Sequence, residues 1–529
     1  MLYHSIVSSI LAAKTMGRGG QGAVQWDRNA EVTNGMSGED RSMLTDCGKR
    51  ALNITCRYAV HFLLLTLAFL LRGPLLDAHR NATLHSAWQA AQEKLYTLPL
   101  MQAVALQAAV LAFTALCFNC MRPARKPTYL LGFYCLRPPN RLELSRAQFM
   151  DGCRRPNHAC NDVLIEFSEK VLEISGLGDR TFVPDKVKRA AEGEDLGKSF
   201  AEAVDETETA LMVSIKKVLH RTGLKPCQID ALIVNCSAFN PVPSLSARMV
   251  RHFKFRSDIR TVNLSGMGCA ASIIAIDWAR DMLAANPNKR VLIVGTENIS
   301  WNIYKGKQRS MLITNCIFRY GGVAYVLSNI PADRRRAKYQ LRHVVRTHLG
   351  SDDEAYNAVI QKEDDDGVVG VKIGKELMKV AGKALKVNIT QLGQKVLPLS
   401  KQLIFAGNFI ACKVLGLTLA PYMPDFKTAF DHFCIHPGGK AVISEVGSQL
   451  RLSREQCLPM LVPFERYGNT SSSSTWYAWS YVETFQGVKK GDRVWQLSFG
   501  SGFKCASAVW VSLCSNTEKH DAWTDTPSW

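Results

Sequence analysis

The stretch Asn263-Leu264-Ser265-Gly266-Met267-Gly268-Cys269-Ala270-Ala271-Ser272 constrains this chain most. Arg260 to Asn263 reads as the end of a buried strand, and Ala270 to Ala285 as a mostly apolar helix stopped by Asn286-Pro287. A strand that becomes a helix within a few residues needs a sharp turn, and Gly266 and Gly268 permit one. Such a unit belongs to α/β layering. It also sets Cys269 at or near a helix N-terminus, where free N–H groups and the dipole favour a thiolate. Two readings of Cys269 follow: a nucleophile, or a small, buried, inert thiol.

The same alternation continues from about Pro127 onward. Asp162 to Ile174 reads as a helix stopped by Ser175-Gly176, and Phe200 to Arg221 as a longer one closed by Thr222-Gly223. Ile229 to Cys236, Arg290 to Gly295 and Leu341 to Thr347 read as strands. Ser351 to Asp366 is polar and acidic and reads as a solvated loop. Phe426 to Leu450 resumes strand, turn and helix, and Arg493 to Leu513 gives two strands hinged on Gly500-Ser501-Gly502. No sequence-level repeat is visible.

With 529 residues the chain is long enough for several domain-sized cores. A hydrophobic content of 47% and a charged content of 21% suit a globular protein and exclude a disordered one. The net charge of +19 favours polyanionic partners: a membrane surface, nucleic acid or a phosphorylated small molecule. No basic, aromatic-studded repeat or zinc-finger spacing supports nucleic acid, which is not an expected partner. The 16 cysteines form no dense disulfide framework, so a reducing compartment is expected for the main domain. The CxxC at Cys117 to Cys120 lacks the βαβ context of a redox motif and reads as structural or lipidated cysteine.

Two apolar segments precede that domain. Ala51 to Leu71 and Leu98 to Cys120 each approach the ~20 residues that cross a bilayer. Lys49, Arg50 and Arg57 flank the first, and Arg122, Arg125, Lys126, Arg137 and Arg141 follow the second. By the positive-inside rule both termini face the cytosol and the short loop faces the lumen. That loop carries the sequon Asn81-Ala82-Thr83. Residues 1–20 lack a basic n-region and cleavage site, so no signal peptide is expected. The expected organisation is a flexible cytosolic segment over 1–50 and a transmembrane hairpin over 51–120. An α/β half carrying the cysteine follows over 121–350, an excursion and linker over 351–395, a second half over 396–515 and a tail over 516–529.

A cysteine that attacks a thioester needs oxyanion donors. His432-Phe433-Cys434-Ile435-His436-Pro437-Gly438-Gly439 offers one. His436 ends a strand and precedes a turn into a helix, where the dipole disfavours imidazolium; the neutral ring can donate Nε2–H to an enolate oxygen. An ordinary loop histidine is the plainer alternative. His432 alternates onto the same strand face. Asn469, in Arg466-Tyr467-Gly468-Asn469-Thr470 ahead of four serines, reads as a helix cap or as a second donor. A zinc site from His432, Cys434 and His436 matches no standard spacing, so no metal is expected. Cys-His-Asn is also a protease constellation.

Asn263 to Cys269, His432 to Gly439 and Arg466 to Trp476 resemble the plant-type 3-ketoacyl-CoA synthases, the condensing enzymes of very-long-chain fatty-acid elongation, a family related to type III polyketide synthases. The likeness runs over most of Pro127 to Leu513. It includes Thr296-Glu297-Asn298, Arg309-Ser310-Met311-Leu312, Asn315-Cys316-Ile317-Phe318-Arg319, Arg346-Thr347-His348 and Gly500-Ser501-Gly502-Phe503-Lys504-Cys505. It implies a thiolase-like α/β fold of two similar halves, behind the N-terminal pair of transmembrane helices, in a homodimer. It implies an acyltransferase in which Cys269 takes the acyl group from a long-chain acyl-CoA. His436 and Asn469 then hold the malonyl-CoA thioester during decarboxylation and condensation, with no cofactor. His348 and His432 match other family histidines and are given supporting roles; Arg309 and Lys504 are candidate contacts to CoA. Departures are small: Ser265, Ala270, Ala271, Pro437 and Glu465 replace common family residues.

The implied setting is the endoplasmic reticulum membrane, multi-pass, with the catalytic domain cytosolic. The implied partners are the 3-ketoacyl-CoA reductase, 3-hydroxyacyl-CoA dehydratase and enoyl-CoA reductase of an elongase complex. A type III polyketide synthase-like condensing enzyme and a non-catalytic elongase subunit are the alternatives. The apolar hairpin argues against the first and the intact Cys-His-Asn set against the second.

Overall fold

Runs such as Val291-Leu292-Ile293-Val294 and Val323-Ala324-Tyr325-Val326-Leu327 are apolar at every position rather than at alternate ones. Such strands must be covered on both faces, and each of these residues is buried. A computed structural model describes residues 126–155, 162–194, 197–413 and 424–525. The expected cytosolic segment, both apolar spans, the sequon and the CxxC lie outside the described residues. No described helix is long and apolar enough to cross a membrane.

The described strands are β1 (Thr128–Cys135), β2 (Glu143–Leu144), β3 (Thr181–Phe182), β4 (Ala231–Asn235), β5 (Arg260–Leu264), β6 (Arg290–Thr296) and β7 (Gly322–Ser328). They continue with β8 (Tyr339–His348), β9 (Val359–Glu363), β10 (Val369–Ile373), β11 (His432–Ile435), β12 (Arg493–Gly500) and β13 (Lys504–Ser512). Nine of them hydrogen-bond in the order β11-β12-β13-β8-β1-β7-β6-β4-β5.

Pairing directions expose a repeat that the sequence hides. β4 runs parallel to β6, β6 antiparallel to β7, and β7 antiparallel to β1. In the same sense β11 runs parallel to β12, β12 antiparallel to β13, and β13 antiparallel to β8. The opening strands of the two halves, β1 and β8, pair with each other antiparallel. The two similar α/β halves are the ones expected, but the second opens at β8, within the stretch 121–350 expected to form the first.

The helices complete the layers. Phe200–Thr222 packs on β1, β6 and β7, and Leu377–Val396 on β8 and β13. Ala271–Ala285 instead touches β4 and β6 of one half and β8, β12 and β13 of the other. Ser474–Tyr481 touches β1, β11 and β12, and all eight of its residues are buried. A helix buried all round belongs between layers, as Ser474–Tyr481 does; Ala271–Ala285 meets it there with its buried first two turns, Ala271 to Asp277, while Trp278 and Asp281 are exposed.

Two readings are corrected. β5 is not a buried strand: it is the sheet's edge, paired on one side with β4, and Arg260, Thr261 and Val262 are exposed. Residues 351–366 are not a solvated loop. They carry a short helix, Asp353–Asn357, and the hairpin β9–β10 leads on to the helix Leu377–Val396. Their acidic residues do local work instead. Asp352 caps the short helix by accepting from Ala355 N–H at 3.1 Å. Asp364 closes the hairpin turn, accepting from Val368 N–H at 2.8 Å and from the Tyr304 hydroxyl.

Candidate active site

Cys269 lies in a single 3-10 turn, Gly268–Ala270, that feeds the helix Ala271–Ala285. The glycine before it is obligatory. Gly268 has φ of +63°, and a Cβ there would lie 2.6 Å from the Ser501 backbone nitrogen. The turn is therefore pressed against the β12–β13 hinge of the other half, and Ser498 Oγ donates to the Cys269 carbonyl at 2.7 Å. Cys269 is half-buried. Burial pushes its thiol up to about 12; a hydrogen bond with Ser471 opposes the shift and the nearby Glu297 charge adds to it. The thiolate expected at a helix N-terminus is thus not the resting form, because desolvation outweighs the dipole at this turn.

His436 follows β11, its N–H donating to Leu497 O at 2.8 Å and so continuing the pairing with β12. The ring is 4% exposed and burial drives its pKa down to about 4, so the imidazole is neutral. The expected neutral ring is present, and burial rather than the dipole is its cause. Nδ1 is buried with no hydrogen-bond partner, so no protein group fixes the tautomer, and Nε2–H remains available as a donor.

Asn469 is reached through the helix Arg454–Tyr467, which ends at Gly468 with φ of +61°. A Cβ at Gly468 would lie 2.4 Å from Cγ of Arg319. The Asn469 backbone is locked on both sides, its N–H donating to Ile317 O at 2.9 Å and its carbonyl accepting from Arg319 N–H at 3.0 Å. Oδ1 accepts from Ser471 N–H at 2.8 Å, which leaves the Nδ2 amine as the free donor. The four serines that follow do not form a cap. Ser471 Oγ donates to Glu297, Ser472 Oγ to Asn235, and Ser473 Oγ to Thr470 O, while Ser474 Oγ accepts from Thr470 N–H.

Cys269, His436 and Asn469 line one cavity of about 730 Å³, together with His348 and Lys504. His348 ends β8, exposed, and its Nδ1 accepts from Gly350 N–H at 3.1 Å. Lys504 opens β13 opposite it and donates from Nζ to Ser501 O at 2.6 Å. The remaining two candidates lie off the cavity. His432 sits at the far end of β11 and bonds Asp492 Oδ2 through Nε2 at 2.9 Å. Four residues of strand part it from His436, roughly 13 Å at about 3.3 Å per residue. Arg309 is exposed at the start of the helix Arg309–Ile317, with its guanidinium over the Phe167 ring. Among the described residues, the one group spaced to hold a metal ion is Glu483, Glu518 and His520, none of which lines the cavity.

Sequence reasoning missed three contributors. Glu297 and Ser471 line the cavity beside Cys269; a carboxylate placed directly after the apolar run of β6 is the signal that marks the first. The hairpin β9–β10 supplies Val359, Ile360, Val371 and Ile373 to the wall, and no local pattern announces that.

Known proteins match this arrangement. Residues 120–414 fit the FAE1/Type III polyketide synthase-like protein family, and residues 427–512 the C-terminal family of 3-oxoacyl-[acyl-carrier-protein] synthase III. The chain is 48% identical over 411 residues to 3-ketoacyl-CoA synthase 2 of Arabidopsis thaliana, covering 77% of this chain and 76% of that one. It is 44% identical over 430 residues to 3-ketoacyl-CoA synthase 9 of the same plant, covering 81% of each. Among solved structures, the C-terminal type III polyketide synthase domain of Steely1 from Dictyostelium superposes with a TM-score of 0.57 at 17% identity, covering 73% of this chain and 99% of that one. CsyB complexed with CoA-SH gives 0.56 at 19%, covering 73% and 100%. These structures share the fold, and the sequence matches carry the kinship: with its cysteine on a glycine turn and its histidine and asparagine brought in from the second half, the chain belongs to the 3-ketoacyl-CoA synthase family.

Proposed function

We propose that the protein is an acyltransferase that condenses malonyl-CoA with a long-chain acyl-CoA, as the condensing step of very-long-chain fatty-acid elongation. The observation that carries this reading is that Cys269, His436 and Asn469 line one cavity. The Cys269 sulfur attacks the acyl-CoA carbonyl and becomes an acyl thioester. Nε2–H of His436 and Nδ2–H of Asn469 then hold the malonyl thioester oxygen while CO2 leaves. The enolate attacks the acyl-cysteine carbon and the 3-ketoacyl-CoA departs. Decarboxylation itself supplies the carbanion, so neither a strong base nor a cofactor is needed. Two neutral donors suit an enolate because they stabilise the developing charge without protonating it.

The cavity wall also suits both ends of the substrates. Lys186, Lys198 and Lys305 line it with Lys504, matching CoA phosphates. Ile360, Val371, Ile373 and Leu377 line it too, matching an acyl chain. The apolar segments 51–71 and 98–120 support a membrane hairpin in the endoplasmic reticulum with the catalytic domain in the cytosol, near the other elongase enzymes. The one-sided edge strand β5 supports a homodimer formed by a second copy at that edge.

The test is elongation by microsomes from yeast expressing the full chain. New very-long-chain acyl products should appear with the wild type and vanish with Cys269→Ala at equal expression. Elongation by Cys269→Ala at the wild-type rate overturns the reading. Repeated condensation and cyclisation in place of single two-carbon extension favours the polyketide alternative.

A further inference from the structure

The helix Leu399–Lys413 carries apolar side chains into solvent. Leu399 is 70% exposed, Leu403 63%, Ile404 50% and Phe405 38%. Leu399 and Leu403 stand one turn apart on the same side, and the exposed Gly407 extends that line. Single exposed apolar residues are ordinary, but a run of them on one helix marks a contact surface. No described strand or helix packs along this helix, and none of its residues lines the cavity. Its 15 residues reach about 22 Å, short of the ~30 Å hydrocarbon core of a bilayer, so it is built to lie on a surface rather than to cross one.

Charge and place say what covers it. No acidic residue occurs from Leu377 to Lys413. The preceding helix, Leu377–Val396, runs antiparallel to β8. Lys383 Nζ meets Asp352 at 2.5 Å, just past the end of β8, and Asn388 Nδ2 donates to Val345 O at 3.3 Å. From that contact Val396 lies about 12 Å farther along the helix at about 1.5 Å per residue. Leu341 lies about 13 Å farther along β8 at about 3.3 Å per residue, so the helix ends level with Leu341. Leu341 pairs with Thr128, where the chain enters the sheet. Lys126, Arg342 and Lys395, all exposed, therefore gather at the end of the sheet from which Leu399–Lys413 departs. The apolar segment 98–120 stops close to Lys126, and the chain between them reaches at most about 20 Å.

We propose that the helix Leu399–Lys413 lies on the surface of a phospholipid bilayer with anionic headgroups, a second membrane contact that rests on the hairpin proposed above. Leu399, Leu403 and Ile404 enter the boundary of the acyl chains, and Lys395 and Lys401 meet the headgroups. A hairpin that ends at Cys120 keeps this end of the sheet within reach of the bilayer, so lipid is the apolar and anionic surface at hand. An exposed apolar side flanked by lysines is the signature of a helix held in such an interface, and an anionic leaflet attracts the lysines. His348, on the cavity, ends the same strand roughly 23 Å from Leu341 at about 3.3 Å per residue. Docking at this end therefore holds the cavity at a set height above the lipid.

The test uses the full chain reconstituted in vesicles of phosphatidylcholine with phosphatidylserine, and of phosphatidylcholine alone, each with an alkyne-tagged phospholipid. A benzophenone-bearing residue replaces Leu399 or Leu403 in turn. Ile174, 65% exposed on the helix Asp162–Ser175, is the control position. Illumination is expected to give a lipid adduct at Leu399 and at Leu403 about tenfold above that at Ile174. Lys395→Gln with Lys401→Gln should lower the adduct on the anionic vesicles at least about fivefold and leave it unchanged on the neutral ones. Equal adducts at all three positions, or none at Leu399 and Leu403, overturn the proposal. So does a crosslink from Leu403 to a second copy, which would make this face an interface between chains, or to another segment of its own chain. An adduct indifferent to both lysines and to lipid charge rules out the headgroup contact and overturns it too. Carbonate extraction of the same samples reads the hairpin separately. Release of the wild type refutes the hairpin and this proposal with it, whereas retention without an adduct at Leu399 and Leu403 refutes this proposal alone.

Discussion

Trp476 donates its indole N–H to Ser272 Oγ at 2.6 Å, joining the helix that follows Cys269 to the helix that follows Asn469. Ser272 Oγ also meets the Tyr325 hydroxyl of β7 at 3.0 Å, and the Tyr325 and Trp476 rings stack at 4.1 Å. Cys269 and Asn469 come from different halves, so this buried contact sets how they register. Trp476→Phe removes the donor and some packing. We expect a loss of about 1–3 kcal/mol of stability, from a hydrogen bond worth about 1 kcal/mol plus a partly filled cavity. Thermal melting of the purified protein checks this. A melting temperature equal to that of the wild type would show that the contact carries no weight.

Gly268→Ala places a methyl 2.6 Å from the Ser501 nitrogen at a backbone angle hostile to any side chain. Strain of ~1–2 kcal/mol comes from the positive φ alone, and the clash has no flexible partner to absorb it. The expected outcome is loss of acyl loading together with lowered stability, read by acyl-enzyme mass and by melting. Gly266, equally at positive φ, has open space around its missing Cβ. Gly266→Ala should therefore cost only the backbone term and keep most activity.

The sequence carried the strand and helix pattern well where periodicity and stop signals coincide. Phe200–Thr222 ends at Gly223 with φ of +60°, as Thr222-Gly223 announces. It misplaced β5, because Arg260 to Leu264 looks the same to a periodicity argument whether a strand lies beyond it or solvent does. It missed the wall formed by β9–β10, because Asp364 and Asp366 are polar for turn chemistry while Val371 and Ile373 on the returning strand line the cavity. Cys269, His436 and Asn469 were legible because each stands at a glycine-bearing turn. Protonation was not legible at Cys269: a helix N-terminus can be read from spacing, but the desolvation that overrides it depends on which residues of the other half close over the thiol.

His436 predicts a pH dependence. Its pKa falls from about 6.5 when unfolded to about 4 when folded. Between those values the unfolded chain binds a proton that the native state refuses, so stability falls as pH drops from about 6.5 toward 4 and is unaffected by this group above. The size is ~3 kcal/mol at the acid end, from about 1.4 kcal/mol per unit. Across this range the melting temperature of the wild type should fall more steeply on acidification than that of His436→Gln. Equal acid sensitivity in both would assign the loss to other groups. At neutral pH the same variant removes the donor that the proposed condensation assigns to His436, and on that reading kcat should fall about 100- to 1000-fold.

Chain-length selection should respond to the hairpin. Val371 is half-buried on the cavity wall with Ile360, Ile373 and Leu377, the apolar side opposite in character to the lysines. Val371→Phe adds bulk into the cavity rather than into the packed core. An acyl methylene denied burial loses about 0.8 kcal/mol, which is about fourfold in preference per methylene excluded. The variant is therefore expected to move the product profile toward shorter chains while leaving the KM for malonyl-CoA unchanged. Fatty-acid profiles of yeast expressing each form, with malonyl-CoA kinetics on the same microsomes, separate the two ends of the cavity. A raised KM for malonyl-CoA with the same product lengths would place the hairpin at the CoA side and the acyl chain elsewhere.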